Sequence, residues 1–216
     1  WKSLRCRTWP RWWPRSKGLS AEMTAFAKKP ATYADLEAVP PNLVAEIIFG
    51  ALETHPRPAP PHATASFALG SELAGPFQKG IGGPGGWIFM TEPELHLGPH
   101  VVVPDIAGWR RTRMPAMPET TFVEVTPDWV CELLSPGTEK LDRGPKRRIY
   151  MSYKIGHLWH LDPVAKLLEV FELRDGQWVL FESFSDGDLV KAPPFEAVAF
   201  PITSLWPLDP SPAEKA

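Results

Sequence analysis

The 216-residue chain is poor in cysteine, with only Cys6 and Cys131. One lies in a basic stretch near the start and the other inside an apolar run. They make neither a disulfide framework nor a zinc cluster, so a reducing cytoplasm is the expected compartment. No run of about 18 apolar residues occurs, so no helical membrane span is expected. An excess of basic charge is missing too: 23 Lys/Arg stand against 25 Asp/Glu. Without the first 22 residues the balance is 17 against 24, a net charge of −7. An acidic body does not advertise a long nucleic-acid footprint. The glycine-rich stretch 80–86 lacks a following Lys-Ser/Thr, which excludes a Walker-type phosphate cradle.

What is present is an ordinary globular composition, 44% hydrophobic and 22% charged, with 26 prolines. The length fits one domain with tails. Residues 1–22 hold four tryptophans and six Lys/Arg against one acid, without an apolar core pattern. They read as a non-native or disordered basic tail, with Met23 the expected start. The alternative is a basic, aromatic arm that touches nucleic acid. Residues 23–207 read as one domain and 208–216 as a disordered tail.

The elements alternate irregularly. Thr32 to Ala38 predicts a short helix with Thr32 as N-cap. Leu43 to Thr54 predicts two strands about a turn at Phe49-Gly50. His62 to Lys79 predicts a helix, since Leu69, Leu73 and Phe77 recur at helical spacing. Strands are expected over Trp87–Met90, Glu94–Leu97, Val101–Ala107 and Trp129–Leu134. A polar loop over Ser135–Arg143 and a helix over Asp142–Ile155, closed by Gly156, come next. Then come a strand over His157–Leu161, a hairpin about Asp175-Gly176 and a last strand near Val198–Ile202. The order is that of an α+β (mixed α/β) fold with few helices.

Two acids stand out. Asp105 closes the apolar run Val101-Val102-Val103, and Glu132 sits inside Trp129-Val130-Cys131-Glu132-Leu133-Leu134. Burying an unpaired carboxylate costs several kcal/mol, roughly, so such acids need a compensating partner. A divalent cation is among the best. The competing readings are a turn cap for Asp105 and an ion pair of Glu132 with Arg147 or Arg148. On the later helix Asp142, Lys146 and Tyr150 share one face, from which Lys146 can reach back toward the acids. Lys146 could instead be a solvated charge.

Val103-Pro104-Asp105-Ile106, Cys131-Glu132-Leu133-Leu134-Ser135-Pro136, then Asp142, Lys146, Tyr150, Gly156 and Leu158-Trp159-His160-Leu161-Asp162-Pro163 resemble the Uma-two family. That family is grouped with restriction endonucleases in the PD-(D/E)XK nuclease superfamily. Ala45-Glu46-Ile47-Ile48 and His62 also match, and the resemblance spans roughly Thr32 to Pro207. It implies a restriction-endonuclease-like core: a central mixed sheet flanked by helices, with extra β-hairpins. It further implies a metal-dependent endonuclease acting on DNA through Asp105, Glu132, Lys146 and Glu46. Asp105 and Glu132 would hold Mg²⁺ or Mn²⁺. The superfamily has lysine two residues after the glutamate. Here that position is Leu134, and Lys146 takes the lysine's place.

Other residues receive blander readings. Glu46 could face solvent on a hairpin. His62 could simply begin a helix, and Ser135 cap a loop. His157 and His160, three apart on one strand, point to opposite sides and cannot share a metal. Arg110, Arg111 and Arg113 form a local basic patch that could contact phosphates. Phe195, Phe200 and Trp206 are expected to supply a homodimer interface. The alternatives to a nuclease are an inactive nuclease-fold protein that binds nucleic acid or protein, and a β-rich interaction domain with structural acids.

Overall fold

A computed structural model describes residues 29–206. The expectations for residues 1–22 and 208–216 lie outside the described residues. Helix α1 (Tyr33–Glu37) opens on a capping box: Thr32 Oγ1 accepts from the Asp35 N–H at 3.3 Å, and Asp35 accepts from the Thr32 N–H at 2.7 Å. Strands β1 (Leu43–Ile48) and β2 (Ala51–Pro56) form an antiparallel hairpin. Its turn uses left-handed backbone at Phe49 (φ 50°) and Gly50 (φ 79°), the twist that two-residue hairpins favour. Helix α2 (Pro60–Leu73) starts on prolines, whose missing N–H costs nothing in the first turn. It runs into a π-turn over Ala74–Gln78.

Strands β3 (Trp87–Thr91), β4 (Leu95–Leu97), β5 (His100–Val102), β6 (Ile106–Arg110) and β7 (Trp129–Leu133) follow. The single strand expected over Val101–Ala107 is two strands in two different sheets. The break is Val103-Pro104-Asp105, where Pro104 has no N–H to continue a ladder. Next come α3 (Glu139–Leu141), a π-turn over Asp142–Lys146 and α4 (Arg147–Ser152). The single helix expected over Asp142–Ile155 is therefore segmented. Pro145 cannot donate inside an α-helix, and the wider π-turn absorbs it. The helix also ends earlier than expected, with Lys154 rather than Gly156 in the left-handed region (φ 57°). Strands β8 (His157–Asp162), β9 (Leu167–Arg174), β10 (Gln177–Phe184), β11 (Leu189–Val190) and β12 (Phe200–Pro201) complete the chain, with a 3₁₀ turn over Ile202–Leu205.

The strands form a six-stranded sheet ordered β10-β9-β8-β7-β6-β3, a four-stranded sheet ordered β2-β1-β5-β4 and a small β11-β12 pair. Only β7 and β8 run parallel within the large sheet, joined through α3 and α4. This is the mixed α/β fold expected. Along β7 the side chains alternate. Trp129, Cys131 and Leu133 join a core with α2, Trp159 and the C-terminal segment. Val130 joins a second core with α4 and the four-stranded sheet. Phe195 is the hub of the first core, with ring centroids 4.9–5.6 Å from Phe77, Trp87, Phe89, Trp129 and Trp159. Phe195, Phe200 and Trp206 are thus buried, at 1%, 5% and 9% exposure, and cannot supply a dimer interface. Their aromatic character reflects the closing of a core.

Candidate active site

The split between the two sheets brings the expected acids to one place. Glu46 leaves β1 fully buried, its Oε1 accepting from the Val103 N–H at 2.7 Å. Glu132 leaves the middle of β7 on the α4 side and is 1% exposed. Asp105 stands between β5 and β6. Its Oδ2 accepts from the Leu133 N–H at 2.7 Å, and its Oδ1 lies 3.2 Å from His62 Nε2. Asp105 is thus tied to Leu133, the residue that follows Glu132 in the chain.

Lys146 closes the arrangement. Its Nζ lies 2.9 Å from Glu132 Oε1, 3.2 Å from Glu46 Oε1 and 3.3 Å from Asp142 Oδ1, and it donates to the Val103 carbonyl at 3.3 Å. The π-turn that swings past Pro145 carries both Asp142 and Lys146 inward. One turn later the Tyr150 hydroxyl donates to Glu132 Oε1 in a short hydrogen bond. Burial and the Glu132 charge push the Tyr150 pKa well up, so it remains a donor. Lys146 is not a solvated charge, Glu46 does not face solvent, and neither Arg147 nor Arg148 pairs with Glu132.

The electrostatics follow from burial. Desolvation pushes Glu132 well above the ordinary carboxylate range despite Lys146, helped by the neighbouring charges of Asp142, Asp105 and Glu46. Asp142 is raised for the same first reason. Glu46 goes the other way: burial alone would raise it, but Lys146, His55 and the Val103 N–H hold it below the usual range. Burial would lower Lys146, yet Glu132 and Glu46 push it well up, so it stays an ammonium.

Two histidines join from the hairpin and α2. His55 Nε2 is 3.6 Å from Glu46 Oε2, too long for a full hydrogen bond, and its pKa is raised chiefly by that carboxylate. His62 Nε2 also sits 3.0 Å from the Leu133 carbonyl. The bland expectation for His62, a mere helix opener, missed this placement. The signal that favoured a site role was the family pattern, which His62 also matches. His55 carried no local signal at all.

Asp105, Glu132, Asp142, Lys146, His55 and His62 line a cleft of about 330 Å³, with Arg57 and Thr138 at its wall. Asp105 is its most accessible acid, 18% exposed. Among the described residues, no three His, Cys, Asp or Glu side chains converge as a ready metal-ligand cluster. The Lys146 ammonium occupies the point where Glu46, Glu132 and Asp142 meet. Arg110, Arg111 and Arg113 lie at the other end of β6 from Asp105, about 16 Å along a five-residue strand. There Arg110 stacks over Trp87 at 4.5 Å and Arg113 pairs with Asp128 at 3.1 Å. His157 and His160 occupy opposite faces of β8, as expected.

Two sheets that part at Pro104, with four carboxylates and a lysine gathered at the split, make up this mixed α/β fold and its candidate site. A crystal structure described as a "putative nuclease belonging to DUF820" from Anabaena variabilis ATCC 29413 matches the fold with a TM-score of 0.66 at 21% identity. The match covers 82% of this chain and 98% of that one. The chain belongs to the Uma2 family, described as "Putative restriction endonuclease", whose model matches residues 30–203. A search of curated proteins found no match.

Proposed function

We propose that this protein is a divalent-metal-dependent endonuclease that hydrolyses DNA phosphodiester bonds in the cleft between its two sheets. The observation that carries the reading is the charge count at the split. Glu46, Asp105, Glu132 and Asp142 converge where, among the described residues, Lys146 is the one permanent cation in contact with them. Burial first, and then the neighbouring carboxylates, raise Glu132 and Asp142 against the pull of Lys146. Such a surplus beside an open cleft favours a further cation.

The donors are carboxylate oxygens, the ligand chemistry of Mg²⁺ or Mn²⁺. Asp105 and Glu132 would hold the ion. When bound, it supplies charge neutralisation at a phosphate and a lowered pKa for a water. The chain's own residues do the rest. The Leu133 N–H and His62 fix Asp105 from two sides. Tyr150 and Lys146 hold Glu132 by Oε1. Lys146, kept protonated, sets a positive charge beside the phosphate position and can orient a water or stabilise the transition state. Glu46 and Asp142 keep Lys146 in place.

The test is plasmid cleavage with Mg²⁺ or Mn²⁺, comparing wild type with Asp105→Ala and Glu132→Ala. The expected result is nicking that requires the metal and falls at least about 100-fold in either variant. Equal activity in all three would assign the nicking to a contaminant. The second reading, a binding protein on an inactive nuclease fold, has its own support: Lys146 already satisfies three carboxylates. DNA binding without cleavage by folded wild type, on substrates of varied sequence, would favour it.

A further inference from the structure

The flank of α4 away from the cleft carries a second feature. Arg143, Arg147, Arg148 and Met151 face Gln177 and Trp178 of β10 across an open groove of about 510 Å³. The three arginines differ. Arg143 is spent on Glu139 and Glu169, at 2.9 and 2.6 Å. Arg147 and Arg148 make no ion pair among the described residues. Arg147 stacks over the Phe171 ring at 4.1 Å and Arg148 over Phe49 at 5.2 Å. Burial depresses the Arg147 pKa; the nearby Glu169 carboxylate opposes this and Arg143 adds to it. Trp178 is pinned to the helix, its indole N–H donating to the Arg147 carbonyl at 2.9 Å. Gly144 and Gly176 leave the groove walls low, with open space where a Cβ would stand.

Two guanidiniums that close no ion pair among the described residues stand out on a chain whose acids outnumber its bases. They are oriented by aromatic rings and so are held ready for an anion. Guanidinium groups beside an aromatic ring form the surface that a sugar–phosphate backbone fits. The groove also lies on the same helical segment that turns Lys146 into the cleft. A helix with its side chains is about 10–12 Å across, or three to four phosphates of one strand at about 3.4 Å each. One bound DNA can therefore span cleft and groove.

We infer that the Arg147–Arg148–Trp178 groove is a second DNA contact, holding backbone phosphates that flank the strand in the cleft. The inference rests on the nuclease reading for its ligand, but its test does not need cleavage.

The experiment measures affinity of the full chain for a fluorescent 30-base-pair duplex, by anisotropy in EDTA, as a function of salt. Wild type is compared with Arg147→Gln/Arg148→Gln and with the control Arg110→Gln/Arg111→Gln. The double variant in the groove is expected to bind about tenfold more weakly or worse at moderate salt. Its slope of log affinity against log salt should fall by about two, one per lost phosphate contact. Unchanged affinity and slope would overturn the inference, as would equal losses in the control pair. Competition by poly-glutamate as strong as by DNA of matched charge would also overturn it, assigning the groove to acidic peptides. If the double variant fails to fold, Arg148→Gln alone, on an exposed side chain, should still lower the slope by about one. Metal-dependent cleavage by wild type with unaltered groove-variant binding would sink this inference and leave the nuclease reading standing. Arginine-dependent binding without cleavage would do the reverse.

Discussion

The two faces of β7 are held by opposite means. On one, Trp129, Cys131 and Leu133 pack into a core whose hub is Phe195, with five aromatic rings around it. On the other, Glu132 is as deeply buried as its neighbours but is held by charge, through Lys146 and Tyr150. The first face depends on area removed from water and ignores pH. The second depends on a balance of four acids against one lysine, and so should respond to pH. The same strand, alternating every residue, gives the protein a rigid floor on one side and a titratable centre on the other.

The sharpest way to break this comparison is to remove the hub of each face. Lys146→Ala strands Glu46, Glu132 and Asp142 without their cation and should cost about 3–5 kcal/mol at pH 8 in urea unfolding. The loss should shrink at pH 5, where the raised carboxyls of Glu132 and Asp142 take up protons. Phe195→Ala should cost a similar ~3–5 kcal/mol through its cavity. That loss should be the same at pH 5 and pH 8. A Lys146→Ala loss that did not vary with pH would refute the charge-balance account.

A smaller effect separates a buried polar group with partners from one without. His160 lies directly across from Glu132 on β8, but neither ring nitrogen has a hydrogen-bond partner among the described residues. Burial first, then Arg143, Arg147 and Lys146, depress its pKa to about 3. A histidine with a depressed folded pKa contributes stability above its unfolded pKa of about 6.5 and loses it as pH falls. Between pH 6.5 and 4 this amounts to about 3 kcal/mol, at about 1.4 kcal/mol per unit. His160→Leu should therefore flatten the acid side of the stability curve by that amount. Chemical denaturation at pH 7 and pH 4 reads it directly, and parallel curves for variant and wild type would count against it. The smallest effect is at the edge of the fold. Thr32→Ala removes the capping box of α1 and should cost about 1 kcal/mol without changing cleavage.

Much of this was legible from residue patterns. Thr32 announces its helix, and Phe49-Gly50 and Asp175-Gly176 announce their hairpins, because local backbone geometry decides those features. The acids in apolar runs mark Asp105, Glu132 and, by family resemblance, Glu46. Other features were not legible, for stated physical reasons. Pro104 divides what reads as one strand, because the apolar pattern of β5 and β6 is continuous while their hydrogen-bond partners belong to different sheets. The aromatic residues Phe195, Phe200 and Trp206 read as a dimer interface because apolar bulk near a chain end does not say what it packs against, yet they roof the first core. His55 carries only its own side chain; its proximity to Glu46 comes from the cross-strand pairing of β1 with β2.

The sequence by itself determined the element types, the mixed α/β class and the family, since periodicity, caps and turn residues act within a few positions. It also determined that two acids would need partners, because charge burial is costly wherever it occurs. Lys146 was a candidate partner from its helix face and the family pattern; only the tertiary structure decided that Tyr150 and His62 join it. Lys146, Tyr150 and His62 reach the acids from 14, 18 and 43 residues away along the chain. The π-turn at Pro145 and the split between two sheets set those reaches, and no local pattern encodes a distance in space.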